Sequence, residues 1–414
     1  MSVFKQEIHR KIYNILFLAL VFFIPLYQRF IPWIIAVILL NWILEWNFKE
    51  KISRMMSDRI RKDNLLFIIL YIIYVIGLFH TDNFEYGLFD LEVKFSLLIF
   101  PILLSTIAPE VFGSKFVFRT FLSFLSGAFI ATLICIVLSI LRFQSSHLAQ
   151  EFYYSHLSVF LHPGYFSMYL NFAIAILFCI LFERWEKLAS TYKSIFIFLI
   201  AWFFLFVILL SSKAGILCLA IIFAVYIVYF ILQRRKIFQA LIMLLGITFA
   251  FWISFNIFPQ SLGRLKQATD VMANSETIKN DTREGTGERI LIWKSSIEII
   301  KNNFLFGTGT GDVKDALLEM YSSKDISTAH DLKLNAHNQY LQIFISLGVI
   351  GFLVLILIFI LPAILAIRSN NILYFLFIVI VSFNFLVESM LETQAGVIFY
   401  GFFNSYLFIT QKRP

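Results

Sequence analysis

Apolar runs of membrane-spanning length make up most of this chain, and they constrain its fold more than any other feature. A transmembrane helix needs about 20 apolar residues, and runs of roughly this kind recur from one end of the sequence to the other. The chain is 60% hydrophobic and only 14% charged, whereas soluble domains are about 25% charged. Because a soluble protein of 414 residues would need a larger charged surface, we predict an all-α polytopic membrane protein.

The apolar runs fit about twelve spans, several of them short. They cover residues 11–28, 30–47, 64–80, 93–108, 118–142, 164–182, 194–211, 214–232, 237–258, 338–366, 372–388 and 395–410. One long polar segment, residues 259–336, separates the ninth span from the tenth. We therefore predict spans 1 to 9 within residues 1–258, one large loop over 259–336, and spans 10 to 12 within 337–414.

The basic residues indicate how the spans are oriented. With the amino terminus inside, the short outer segments contain only Arg29, Lys94, Arg142 and Lys213, and the inner segments contain most of the other basic residues. Cytoplasmic loops carry such an excess of Lys and Arg. An even number of spans then places both termini in the cytoplasm and the long loop outside. This distribution explains the net charge of +8, so the lipid bilayer is expected as a partner and nucleic acid is not.

The later part of the long loop has the pattern of an amphipathic helix over residues 286–303. Thr286 is suited to the N-cap position, and Arg289 lies four residues before Trp293, on the same face of the helix. An arginine fork binds two phosphate oxygens and keeps its charge. Arg289 is therefore a candidate phosphate ligand, although its stem could simply pack on Trp293 with its head in water. The expected apolar seam consists of Ile290, Trp293, Ile297 and Ile300.

A Gly-rich segment, FGTGTGD at residues 306–312, follows this helix. Its glycine spacing is similar to that of a dinucleotide fingerprint, but no strand precedes it and no βαβ pattern surrounds it. We interpret it as a flexible turn that lets the loop fold back over the membrane face.

His337 lies at the start of the helix predicted over residues 337–366, followed directly by Asn338. A helix N-terminus carries partial positive charge and free N–H groups, and this environment disfavours a protonated imidazole. His337 is therefore expected to be neutral, which is the form that accepts a proton. A capping or interfacial histidine is the alternative interpretation.

Further polar side chains are expected near the same outer face, and each of them alone is more often interfacial than catalytic. They are Arg142, His156, His162, Lys213, Glu388 and Glu392. Together they supply cations and proton-transfer groups at one membrane face. The sequence has no HExxH motif, and its three cysteines lie in apolar stretches without a CxxC partner. We therefore predict neither a metal ion nor a cofactor.

Three segments resemble the family of O-antigen ligases and polymerases, which are bacterial envelope enzymes. They are SSKAG at 211–215, GERILIWKSSIEIIKNNFLFGTGTGD at 287–312 and AHNQYLQIFISLGVIGF at 336–352. The specific motifs extend over about residues 205–355, and the many spans with one large outer loop also match. The resemblance implies a multi-pass protein of the bacterial inner membrane with its site facing the periplasm.

The resemblance also implies an inverting, metal-independent glycosyltransferase of lipopolysaccharide biosynthesis. Its donor would be a glycan on undecaprenyl diphosphate. The acceptor would be lipid A–core in a ligase, or another lipid-linked repeat in a polymerase. Arg289 and His337 match the family residues proposed to hold the diphosphate and to assist the acceptor. Lys213 stands where the family usually has arginine, and lysine keeps the charge but loses the bidentate geometry.

The remaining site assignments follow from position at the outer face. Arg142 and Lys213 are predicted to join Arg289 in binding the diphosphate. Supporting roles are predicted for Trp293, Asn338, His162 and Glu388. A transporter or flippase of lipid-linked sugars is the alternative from another class, and it predicts charges in the middle of the spans rather than at their outer ends.

Overall fold

The computed structural model describes residues 3–233, 235, 237–258, 263, 266–267, 269–271 and 285–411. Within these ranges the chain forms α-helices and short 3-10 turns and contains no strand, so the all-α prediction is confirmed for this part of the protein. Most of the first part of the predicted long loop, residues 259–284, lies outside the described residues. The extent of the loop and its side of the membrane remain predictions.

The α-helices follow one another with bounds that we label in chain order. They are α1 (Val3–Leu26), α2 (Ile31–Leu44), α3 (Phe48–Ser57), α4 (Arg59–Asp63), α5 (Ile68–Gly77), α6 (Phe84–Lys94), α7 (Ser96–Thr106), α8 (Ser114–Ser146), α9 (Tyr154–Leu157), α10 (Pro163–Arg184), α11 (Ser190–Leu209), α12 (Lys213–Leu232), α13 (Ile237–Ile257), α14 (Gly285–Asn302), α15 (Val313–Ser323), α16 (Ser327–Asp331), α17 (Gln339–Arg368), α18 (Ile372–Phe385) and α19 (Gln394–Thr410).

Seven helical segments of the described chain are long and apolar enough to cross a membrane, or eight if Gln28–Leu44 and Phe48–Ser57 together form one span. The seven are Gln6–Leu26, Arg59–His80, Ser114–Ser146, Pro163–Lys187, Ser190–Leu209, Lys213–Leu232 and Gln339–Arg368. Shorter apolar helices lie at Met243–Ile257 and Ile372–Phe385. The protein is therefore a multi-pass membrane protein, and the count of twelve spans remains a prediction.

The span predicted over residues 93–108 is interrupted near its start. Its residues divide at Phe95 between the end of α6 and the start of α7, which has only 11 residues. Lys94, the last residue of α6, is completely buried and pairs with Asp90 and Glu392. A hydropathy window averages over a single charge, so the sequence pattern did not reveal this break.

The chain divides into two units, and the first comprises residues 1–46, 109–265 and 375–384. Its central helix is α10, which is buried on nearly every side over most of its length. Such all-round burial requires a helix that is apolar on all faces. Two hydrogen bonds join it to α12: Asn171 Nδ2 donates to the Gly215 carbonyl (2.9 Å), and the Tyr226 hydroxyl donates to the Ala175 carbonyl (2.8 Å).

The second unit comprises residues 47–108, 266–374 and 385–414. In it, α14, α15 and α16 enclose a small apolar core with the first turns of α17; its fully buried members include Ile292, Leu317, Tyr321 and Ile345. The predicted amphipathic helix is present as α14. However, Thr286 lies inside the helix rather than at its cap, and Ile297 is 46% exposed. The buried face instead contains Ser295 and Ser296.

The long helix α17 is kinked at Gly348, and the Gly-rich segment packs against this kink. Gly348 has φ 63° and ψ −161°, a combination that is essentially restricted to glycine. Backbone hydrogen bonds join Thr308 N to the Ile345 carbonyl (2.7 Å) and Val349 N to the Phe304 carbonyl (2.9 Å). The segment predicted as a flexible turn is therefore a turn held by backbone hydrogen bonds to α17.

Candidate active site

The second unit brings Arg289, His337 and Glu388 together around one carboxylate. Arg289 Nη2 lies 3.1 Å from Glu388 Oε2, and His337 Nδ1 lies 2.8 Å from Glu388 Oε1. The Glu388 side chain is only 12% exposed, whereas the arginine and histidine side chains are 34% and 21% exposed. A mostly buried carboxylate thus holds two more accessible groups, one permanently cationic and one able to exchange protons.

Arg289 is positioned by α14, and α14 is in turn joined through Trp293 to the chain just before His337. It lies one helical turn before Trp293, whose Nε1 donates to the Ala336 carbonyl at 3.1 Å. This bond joins α14 to the residue directly preceding His337. Trp293 therefore helps to fix the separation between the arginine and the histidine.

His337 precedes the helix rather than beginning it, which corrects the predicted start. The helix α17 begins at Gln339, and Asn338 is its N-cap, with Oδ1 accepting from the backbone N–H groups of Tyr340 (3.0 Å) and Leu341 (3.2 Å). His337 has a φ of 45°, in the left-handed region where non-glycine residues are uncommon. Its backbone N–H donates to Asn335 Oδ1 at 2.9 Å.

The Glu388 side of the centre is held in place with the help of Ser389 and Gln339, which sequence reasoning did not single out. Asn338 N donates to Ser389 Oγ (3.2 Å), and Leu391 N donates to Gln339 Oε1 (2.6 Å). These two bonds align the chain around Glu388 with the chain that carries His337. The available signal was the polar stretch that follows the apolar run ending near residue 387.

The carboxylate determines which ring nitrogen of His337 carries the hydrogen. An ionised carboxylate can only accept hydrogen bonds, so Nδ1 donates to Glu388. The lone pair of a neutral ring then lies on Nε2, the nitrogen that can take a proton from a substrate. The sequence argument placed His337 at a helix N-terminus, whereas the structure places its Nδ1 beside the Glu388 carboxylate.

The guanidinium of Arg289 has donors beyond those used in its ion pair. Among the described residues it contacts Glu388 through one terminal nitrogen, and an arginine has five N–H donors. Its third-exposed side chain can therefore bind a second anion while it remains paired with the carboxylate. In the described ranges, no group of three or more His, Cys, Asp or Glu side chains could hold a metal ion, and the expected metal independence remains a prediction.

Arg142, His162 and Lys213 belong to the first unit. Arg142 donates from Nε to Glu151 (3.0 Å) and from Nη2 to Ser139 Oγ (3.1 Å) and the His156 carbonyl. These bonds attach the end of α8 to the chain that follows it. The roles predicted for the three residues in substrate binding remain predictions.

His162 and Lys213 each lie at the start of a helix in that unit. His162 is the N-cap of α10, and its Nδ1 accepts from Gly164 N at 3.3 Å. Lys213 is the first residue of α12 and follows the N-cap Ser212.

The fold and the charged centre define a multi-pass, all-helical membrane protein with a built polar site. The sequence model of the O-antigen ligase family matches residues 196–356. This match covers less than half of the chain, and within that range it confirms the resemblance indicated by the motifs. The matched range includes Lys213, Arg289 and His337, whereas Glu388 lies beyond it.

One curated relative is an uncharacterized protein of Haemophilus influenzae, which is 30% identical over 132 residues. The alignment covers 30% of this chain and 33% of the relative, so the chain spans about a third of the length of the curated relative that it matches. The relative therefore adds no information on substrate or acceptor.

Proposed function

We propose that this protein transfers a glycan from undecaprenyl diphosphate to a sugar hydroxyl of lipid A–core at the periplasmic face of the bacterial inner membrane. The family match supports a membrane enzyme of the O-antigen ligase and polymerase type. The observation that carries the proposal is the sharing of Glu388 by Arg289 and His337. One carboxylate thereby holds a cation for a diphosphate and a base for a hydroxyl within reach of one substrate.

The leaving-group side of the reaction needs fixed positive charge. As the bond between the anomeric carbon and the diphosphate oxygen breaks, negative charge develops on undecaprenyl diphosphate. Arg289 would bind this oxygen-rich group with donors not used by Glu388. A positioned cation that meets charge as it develops lowers the barrier more than one that binds the ground state equally well.

The acceptor side of the reaction needs a base. The acceptor hydroxyl forms a new C–O bond to the anomeric carbon while its proton passes to His337 Nε2. Because attack and departure occur on opposite sides of that carbon in a single displacement, the product would have inverted configuration. The resulting imidazolium is stabilised by the negative charge of Glu388 at Nδ1.

We expect His337→Ala and Arg289→Ala each to abolish glycan transfer at normal protein level. Suitable controls are His330→Ala and Lys301→Ala, because both residues are exposed and neither contacts Glu388. Transfer would be measured with purified protein, an undecaprenyl-diphosphate-linked glycan and lipid A–core. Transfer near the unsubstituted level in both site variants would show that the centre is not catalytic.

The same centre would serve a polymerase, which differs only in the acceptor. The lipopolysaccharide banding pattern of a deletion strain distinguishes the two. A ligase defect removes all long glycan from lipid A–core and lets lipid-linked chains accumulate. A polymerase defect leaves lipid A–core capped with single repeats, and that pattern would replace the ligase proposal.

A further inference from the structure

A polar cavity of about 150 Å³ lies within the second unit. Its lining comes from the end of the α5 span, from α6, from Thr310, from α15, from the chain before α17 and from the first turns of α17. The residues that matter here are Tyr74, Asp90, Thr310, Asn335, Gln342 and Glu392. A cavity of about this volume accommodates a six-membered ring, since an engineered cavity of similar size binds benzene. The lining combines polar and charged groups with the apolar Val313 and Leu317, a mixture that suits a ring carrying hydroxyl groups.

Two carboxylates and one buried ammonium lie at the cavity. Lys94 is completely buried and pairs with Asp90 and with Glu392, the latter at 3.1 Å. Two further cations, Lys314 and Lys333, line the cavity with these carboxylates. Burial raises the pKa of Asp90 above that of a free carboxyl. Carboxylates and ammonium groups around one cavity supply the hydrogen-bond acceptors and donors that sugar hydroxyls need.

Tyr74 supplies an independent sign that the cavity takes a ligand. Its side chain is 1% exposed and lines the cavity, and its ring lies against Lys94, with Nζ 4.8 Å from the ring centroid. Among the described residues, its hydroxyl has no hydrogen-bond partner. Buried polar groups in native proteins are almost always paired. A hydroxyl without a protein partner at a polar cavity is thus available to a bound ligand.

The cavity and the Arg289–His337–Glu388 centre are built on the same two stretches of chain. Asn335 and Gln342, which line the cavity, flank His337 in sequence. Glu392 follows Glu388 by four residues, so their Cα atoms are at most about 14 Å apart. Gln339 joins the two stretches by accepting from Leu391 N at 2.6 Å and approaching Glu392 Oε1 at 3.5 Å. One oligosaccharide could therefore contact both sites.

We propose that this cavity is a subsite for one sugar ring of a glycan substrate, with Tyr74, Asp90 and Glu392 hydrogen-bonding its hydroxyl groups. This inference rests on the proposed function, since it assigns the ring to the donor or to the acceptor of that reaction. The two sources share the same chemistry, and steady-state kinetics with each substrate varied in turn separates them.

The test is Tyr74→Phe, which removes only the unpaired hydroxyl. We expect KM to rise about fivefold for one glycan substrate, as for the loss of a single hydrogen bond, with the melting temperature unchanged. Tyr321→Phe is the matched control. Its hydroxyl donates to the Leu334 carbonyl at 3.3 Å, so its loss should lower the melting temperature and leave both KM values unchanged.

A higher KM for lipid A–core in Tyr74→Phe assigns the ring to the acceptor, and a higher KM for the lipid-linked glycan assigns it to the donor. Unchanged KM values for both substrates would overturn the subsite. A binding measurement separates this inference from the transfer reaction. Core oligosaccharide or repeat-unit oligosaccharide, each released from its lipid, should raise the melting temperature of the unsubstituted protein. The same ligand should raise the melting temperature of Tyr74→Phe by less. Equal shifts in the two proteins would also overturn it, whether or not transfer is observed.

Discussion

At the residue scale, the centre depends on Glu388 more than its position in the sequence suggests. Its carboxylate sets the tautomer of His337 and balances the charge of Arg289. Glu388→Gln keeps the shape but removes the charge, so the imidazolium formed during transfer loses its partner. We expect kcat to fall about 100-fold, within the range for general base catalysis, while KM changes little. Steady-state transfer by the purified variant measures both quantities.

The matched control for Glu388→Gln is Glu298→Gln. Glu298 lies on α14 in an ion pair with Lys324 and is 51% exposed. Exposed ion pairs contribute little to stability, so this variant should transfer glycan at the unsubstituted rate. A Glu388→Gln protein with an unchanged kcat would mean that the carboxylate only holds the structure together.

At the scale of elements, the sequence predicts which helices exist better than which faces they bury. α14 was predicted from a four-residue apolar seam, yet its buried side contains Ser295 and Ser296 while Ile297 is exposed. The buried side is decided by contact with α15 and α17, and periodicity within one helix carries no information about these neighbours. The meeting of His337 with Glu388, 51 residues apart, is equally a product of tertiary packing.

The kink of α17 is an element-scale feature with a direct test. A Cβ at Gly348 would clash with the Leu305 carbonyl, and the backbone conformation there is one that other residues rarely adopt. We expect Gly348→Ala to destabilise the protein by roughly 2–3 kcal/mol, seen as a lower melting temperature. Gly246→Ala in α13 is the control, because nothing lies within 4 Å of the added atom and alanine favours helix. Equal melting temperatures for the two variants would show that the kink does not require glycine at position 348.

At the scale of the whole molecule, the predicted orientation can be tested through the two ends of α17. After the kink at Gly348, this helix continues from residue 349 to Arg368. At 1.5 Å per residue this part is about 30 Å long, which matches the hydrocarbon core, so we expect the two ends of α17 to lie at opposite membrane faces. If the His337 end faces the periplasm, a cysteine at the exposed Ser323 should react with an impermeant maleimide in cells with a permeabilised outer membrane. A cysteine at the exposed Asn370 should react only after the inner membrane is lysed.

The native cysteines Cys135, Cys179 and Cys218 are buried, so the unsubstituted protein provides the unlabelled control. Labelling of Asn370→Cys before the inner membrane is lysed, with Ser323→Cys protected, would place the centre in the cytoplasm. A periplasmic transfer to lipid A–core would then be impossible.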